Sequence, residues 1–243
     1  MIDTIEMIGL KRSGHHAVMN WIINNLTHQQ VDYWYKYIRL GETNFWILND
    51  SSHKIEEGGK MFLDTIEYSK TIPDTFLVNY EDTKTNYCLF NNDKIYKGKK
   101  SKYEFYGHDI KLDSRILIIR NFYDNIFSRY LGVENRIVVE AFYDERFIDL
   151  WKNHAKFYLS NKDRCLKFDD WVNDSNKRNK FLKCNFNISE MFGIENIHGT
   201  SSSNTKGIEK DYSIIPENIK ELIRKDNELH NLIGSVGYEY KEL

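Results

Sequence analysis

The sequence predicts an α/β fold, a parallel β-sheet flanked by helices, on three observations. Short β-like runs alternate along the chain with longer helical ones. The first β-like run passes directly into a glycine-bounded turn and then into a helix-periodic apolar stretch, the pattern of a strand–turn–helix unit. No period of 20–50 residues repeats and no Pro/Ser-rich linker divides the chain, so residues 1–243 are expected to form a single domain. With 243 residues, 41% of them apolar, such a chain can bury about 70–75% of its unfolded surface and needs neither metal nor disulfide to fold.

The elements follow in order. Residues 4–8 (TIEMI) read as a short strand, followed by GLKRSG and then HHAVMNWIINNL, where His16, Met19, Ile22, Ile23 and Leu26 fall at helical spacing. Residues 75–80 (TFLVNY) and 115–119 (RILII) read as buried strands. They run into Glu81 and Asp82, and into Arg120 and Asn121, at the carboxyl ends where parallel α/β sheets place ligands. Helices are expected over 122–131, 140–159, 175–183 and 216–232, the last with Pro216 at its start. A short strand over 165–168 precedes the acidic pair Asp169 and Asp170. The segment 91–108 (NNDKIYKGKKSKYEFYGH) is polar, basic and aromatic by turns and reads as an exposed excursion. Interleaved Lys and Tyr are also how single-stranded nucleic acid is clamped, but a solvated loop is the simpler reading.

Global charge narrows the partners. Lys and Arg total 34 against 36 Asp and Glu, a net −2, so nothing advertises duplex DNA or an anionic membrane, and any anion site must be local. Cys88, Cys165 and Cys184 are odd in number and lack a CxxC, which speaks against a disulfide framework or a zinc site and for a reducing compartment. The apolar runs are far shorter than the ~20 residues a membrane helix needs, and no charged-then-apolar leader opens the chain. A cytoplasmic protein with no nucleic-acid or membrane partner is therefore expected; oligomeric state is not legible.

The first turn carries the chemistry. Gly9 and Gly14 bracket four residues after a strand and at the mouth of a helix, the spacing and context of a phosphate loop. Helix-start N–H groups carry about half a positive charge, and glycine lets a phosphate approach them. His15 and His16 occupy the positions of the Walker Lys and Ser/Thr, so the magnesium-ligating hydroxyl is missing and nucleotide γ-phosphoryl transfer is disfavoured. The cations lie inside the loop instead, at Lys11 and Arg12.

This loop, LKRSGHHA, resembles the 5′-phosphosulfate loop PKSGTTW of the sulfotransferase family. Arg12 stands where the family carries its loop lysine, Ser13 and Gly14 match, and His15 and His16 replace the two threonines. IIRNFYDNIFSRY resembles the family's 3′-phosphate motif R-N-P-x-D-x-x-x-S-x-Y, with Arg120, Asn121, Asp124, Ser128 and Tyr130 in register and Phe122 in place of the proline. An Arg at a strand end and a Ser two turns into the next helix can converge on one phosphate, the Arg as a bidentate fork. LWKNHAKFY, with Trp151 and His154, resembles the W-x-x-H-x-x-x-W helix, although these two residues read more simply as core packing. CLKFDDWVNDSNKR resembles the L-x-Y-E-D-M strand and its following helix, with Phe168 where a tyrosine lies near the adenine. HGTSSSNTKG resembles the T-S-F segment that touches the base, through Thr200 and Ser201, and the basic glycine-containing loop after it, through Lys206. Ala17 occupies the place of the family's adenine-stacking tryptophan, which leaves Trp21, Phe168 and Trp171 as candidate replacements.

The resemblance implies a P-loop-like three-layer α/β/α sulfotransferase fold. It implies 3′-phosphoadenosine 5′-phosphosulfate as donor, 3′-phosphoadenosine 5′-phosphate as product, no required metal, and an acceptor hydroxyl or amine on a glycan or small molecule. It assigns Arg12 to charge growing on the bridging oxygen, assisted by Lys11 and the loop amides, a role whose loss typically costs about 10²- to 10³-fold in rate. The base that takes the acceptor proton is expected at Glu81, with Asp82 and His108 as rivals. Two alternatives stay open: a non-catalytic nucleotide-binding or interaction protein of the same fold, and a P-loop kinase.

Overall fold

The computed structural model describes residues 2–10, 12–27, 37–40, 43–47, 75–82, 84–85, 110–134, 145–195, 197 and 210–243. These form a mixed α/β structure around a six-stranded sheet in the order β2-β3-β4-β1-β5-β6. The strands are β1 (Ile2–Gly9), β2 (Tyr37–Leu40), β3 (Thr43–Ile47), β4 (Thr75–Glu81), β5 (Ile110–Ile119) and β6 (Cys165–Lys167). The helices are α1 (His15–Thr27), α2 (Phe122–Glu134), α3 (Glu145–Ser160), α4 (Phe168–Asn173), α5 (Ser175–Phe186), α6 (Glu217–Lys225) and α7 (Asn227–Val236).

The stretch β4-β1-β5-β6 is parallel, as expected. The expectation of an all-parallel sheet is corrected at one edge, where β2 and β3 pair antiparallel with each other and β3 pairs antiparallel with β4. Strand pairing through a four- and a five-residue run leaves too weak an alternation to be read from the sequence.

The centre reads as a parallel strand should. Ile116 to Ile119 are all buried, so β5 presents apolar side chains to both faces. On one face Met7, Ile116, Ile118 and Leu166 pack with Val18, Met19, Trp21 and Ile22 of α1 and with Trp171, Phe181 and Leu182 of α4 and α5. On the other, Ile8, Leu117 and Ile119 pack with Phe122, Tyr123 and Ile126 of α2, Phe147 and Trp151 of α3, and the apolar sides of α6 and α7. The period-2 alternation of β1 and β5 thus feeds two separate cores, each closed by helices.

Several element boundaries differ from the sequence reading, three of them with a visible cause. β5 begins at Ile110, because its polar first half is held by the ladder to β1 across an irregularity between Thr4 and Ile5. Phe168 opens α4 instead of closing β6. The single helix expected over 216–232 is two, since the Asp226 carboxylate accepts from the backbone of Leu229 and caps a new helix there. Lys152 of α3 also reaches Asp226, at 2.9 Å, and ties that break to the core helix.

Candidate functional site

The connection from β1 leads to the β4 side of the sheet and the next one crosses to β5 on the other side, so the strand order reverses at β1. In open α/β sheets that crevice, outside the carboxyl ends of the strands, is the ligand site. Gly9 ends β1 directly beside Glu81 of β4 and Ile118 of β5.

The loop after β1 is tightly wound. Ser13 N–H donates to the Leu10 carbonyl at 2.9 Å, and Arg12 and Gly14 both take left-handed backbone conformations, at φ 68° and 82°. Gly14 is required on two counts: its positive φ favours glycine, and a Cβ there would lie 2.1 Å from the Phe168 ring. The bonds of α1 begin where Ala17 and Val18 donate to the Gly14 carbonyl. The loop therefore leads into a helix start, the end of a helix that favours anions. The His15 ring is buried, its Nδ1 3.1 Å from Ser13 Oγ, and is spent on shaping the loop.

The second motif is built by a cap. Asn121 Oδ1 accepts from the backbone of Tyr123 and Asp124 at 2.9 and 3.3 Å, which starts α2 and leaves Arg120 at the strand–helix junction. Trp151 Nε1 donates to the Arg120 carbonyl at 3.0 Å and holds that junction from beneath. Arg120 Nη1 donates to the Arg12 carbonyl at 2.7 Å, and its guanidinium lies over the Phe168 ring, 5.1 Å from the centroid. Arg12 Nε in turn donates to Ser128 Oγ at 3.3 Å. Arg12, Gly14, Arg120, Ser128 and Phe168 thus meet at one point although up to 156 positions separate them. Burial pulls the Arg120 guanidinium down from its ordinary value, against the opposing charges of Asp124 and Asp169.

Around this point lie residues the sequence reading did not assign. Lys210 Nζ donates to Asp124 Oδ2 at 2.6 Å, Tyr212 Oη to Asp124 Oδ1 at 3.2 Å, and Lys241 Nζ to Tyr212 Oη at 2.8 Å. Burial, then the Asp124 charge, pushes the Tyr212 hydroxyl up to about 12. The tail beyond α7 leaves through a left-handed Gly237, φ 86°, with Gly237 donating to Gly234 and Tyr238 to Ile233. That glycine after an apolar-periodic helix is the one signal in the sequence that the chain turns back there.

Of the proposed bases, Glu81 ends β4 beside the loop, and the structure describes its backbone. Asp82, at φ 52°, donates its N–H to the Gly9 carbonyl and buries its carboxylate on Arg129. Asp82 is therefore structural and not a base. Among the three candidate stacking aromatics, Trp21 and Trp171 are buried in the α1-side core, Trp21 donating to Glu190 at 3.0 Å, while Phe168 stays half-exposed at the site. Lys11, His108, Thr200, Ser201, Lys206 and the segment 91–108 lie outside the described residues, as does the side chain of His16. Cys165 is buried, its thiol pushed up to about 12 by burial, and Cys184 is exposed. Among the described residues no group of three His, Cys, Asp or Glu side chains could hold a metal ion, and no helix is long and apolar enough to cross a membrane.

No family model, curated protein or solved structure matches this chain.

Proposed function

We propose that this cradle binds an adenosine 3′,5′-bisphosphate nucleotide and that the chain is a divergent sulfotransferase with a P-loop-like α/β/α architecture. The observation that carries the reading is the convergence of two motifs more than a hundred positions apart, Arg12 on Ser128 and Arg120 on the Arg12 carbonyl. Ordinary surface arginines have no reason to be gathered with a tight glycine loop at the strand-order reversal.

The donor, 3′-phosphoadenosine 5′-phosphosulfate, supplies an activated sulfuryl group for an acceptor hydroxyl or amine on a glycan or small molecule. Gly14, His15 and His16, at the start of α1, hold the 5′-side oxygens through backbone N–H groups, Ser13 closes the turn that presents them, and Lys11 and Arg12 supply the cations for the leaving charge. Arg120 and Ser128 hold the 3′-phosphate, and Phe168 presents its ring to the base, with Thr200, Ser201 and Lys206 as further nucleotide contacts. Glu81, ending β4 beside the loop, takes the acceptor proton, with His108 as its rival.

Calorimetric titration with 3′-phosphoadenosine 5′-phosphate tests this. Binding is expected to exceed that of ATP with magnesium, and Arg120→Ala is expected to weaken it by about 1.5–3 kcal/mol, the worth of a hydrogen bond to a charged group. No binding, or preference for ATP with magnesium, overturns the reading.

A further inference from the structure

The first turn of α2 sets a carboxylate beside the proposed anion site. Asp124 and Ser128 are four residues apart on that helix, so their side chains share one face, with about 5–6 Å between Cβ atoms. Arg12 Nε reaches Ser128 Oγ there at 3.3 Å, and Arg120, just before the helix, reaches the Arg12 carbonyl at 2.7 Å. Left uncompensated, the Asp124 charge would repel any phosphate that Ser128 and Arg120 receive. Lys210 answers it. Its ammonium uses one of three donors on Asp124 Oδ2, at 2.6 Å, and the side chain remains 33% exposed. Asp124 also has a second partner: Tyr212 Oη donates to Oδ1 at 3.2 Å, and the tail fixes Tyr212 in turn, with Lys241 Nζ 2.8 Å from that hydroxyl. The Tyr212 ring stands edge-on to Phe127 and Tyr123, at 5.6 and 6.4 Å between centroids.

This arrangement holds the carboxylate still and leaves the ammonium able to move. A partly exposed ion pair contributes little, so opening it costs little, and Asp124 keeps the Tyr212 bond when Lys210 turns away. Lysine is a flexible point charge suited to phosphate oxygens, whereas arginine supplies a planar fork. We propose that Lys210 is a further cation of the bisphosphate site: its ammonium, held on Asp124 one helical turn from Ser128, turns to the 3′-phosphate, with Asp124 and Tyr212 as positioning residues. This rests on the bisphosphate reading above. Lys210 then selects nucleotides that carry a 3′-phosphate over those that end in a 3′-hydroxyl. A lysine that only neutralised Asp124 would make the same contacts but would lose its effect once Asp124 is made neutral.

The test titrates wild type and Lys210→Gln with adenosine 3′,5′-bisphosphate and with adenosine 5′-phosphate, after thermal melts show each variant folded. Lys210→Gln is expected to weaken the bisphosphate about 5- to 20-fold and to leave adenosine 5′-phosphate within about twofold. The same substitution is then made in an Asp124→Asn background, where the amide oxygen still accepts from Tyr212, or in Asp124→Ser if the first does not fold. The bisphosphate loss is expected to persist there, because the ammonium acts on the ligand. A loss seen only with Asp124 intact means that Lys210 merely cancels that charge, and overturns the inference. No loss, or an equal loss for both nucleotides, overturns it as well. Failure of wild type to bind the bisphosphate overturns the bisphosphate reading and this inference with it.

Discussion

Arg120 and Arg129 stand nine residues apart on the same strand–helix unit, and both lie over an aromatic ring, Phe168 at 5.1 Å and Phe147 at 4.5 Å. Their settings otherwise differ. Arg129 is buried, its Nη1 3.2 Å from Asp82 Oδ2, its Nη2 on Asp82 Oδ1 and its Nε 3.1 Å from Asn125 Oδ1. The charge is met by a carboxylate, and the pair pins the end of β4 to α2. Arg120 is half-buried and spends one donor on a neutral carbonyl; Asp124 lies nearby but is taken by Lys210 and Tyr212. An arginine whose charge is matched within the fold is architecture. Arg120, beside a helix start that favours anions, is the one to which the proposed function assigns a ligand.

The sharpest way to break this contrast is to remove each arginine. Arg129→Met should cost about 3–5 kcal/mol of stability, since it leaves the Asp82 carboxylate buried without its partner. Denaturant unfolding reads this, and a cost near that of a surface substitution would mean that Asp82 finds other compensation. Arg12→Ala should lower turnover about 10²- to 10³-fold while much of the nucleotide affinity stays, which a sulfuryl-transfer assay and calorimetry separate. Unchanged turnover would take Arg12 out of the chemistry. Arg120→Ala should show the reverse of Arg129→Met, a binding loss of about 1.5–3 kcal/mol with little change in melting temperature.

The smallest effect concerns acid. At the helix break, burial raises the Asp226 carboxyl, but the Lys152 hydrogen bond and the Leu229 amide outweigh it and hold the group below its ordinary value. Glu228 is also held low, by Lys156 and then Lys152. Both carboxyls take up protons more readily in the unfolded chain. The stability they supply is therefore present above their unfolded pKa, about 4, and is lost as pH falls through the lower folded values. Lys152→Gln should flatten the fall in melting temperature between about pH 5 and pH 3, and an unchanged slope would place the acid sensitivity elsewhere.

Much of this site was legible because it rests on local patterns. A short apolar run, two glycines five positions apart and a helical period define the loop, and R-N before a helix defines the Asn121 cap, wherever the rest of the chain goes. Asp82 was not legible as structural. A carboxylate at a strand end looks alike in sequence whether it faces solvent or a buried arginine 47 positions on. The same holds for Trp21 and Trp171, whose apolar faces suit an adenine as well as they suit the core that took them, and for Asp226, which reads as one more polar position in a helix until its carboxylate is seen to cap the next one.

The sequence by itself determined the α/β alternation, the glycine loop at the head of α1, and the position of Arg120 just before a helix that carries Ser128, because propensity, period and capping act within a few residues. Only the tertiary structure decided that Arg12 meets Ser128, that Arg129 and not a solvent shell answers Asp82, and that a tail turned at Gly237 brings the Tyr238 ring to Lys167. Those outcomes depend on the strand order and on which charges are buried together, and burial is a property of the whole fold.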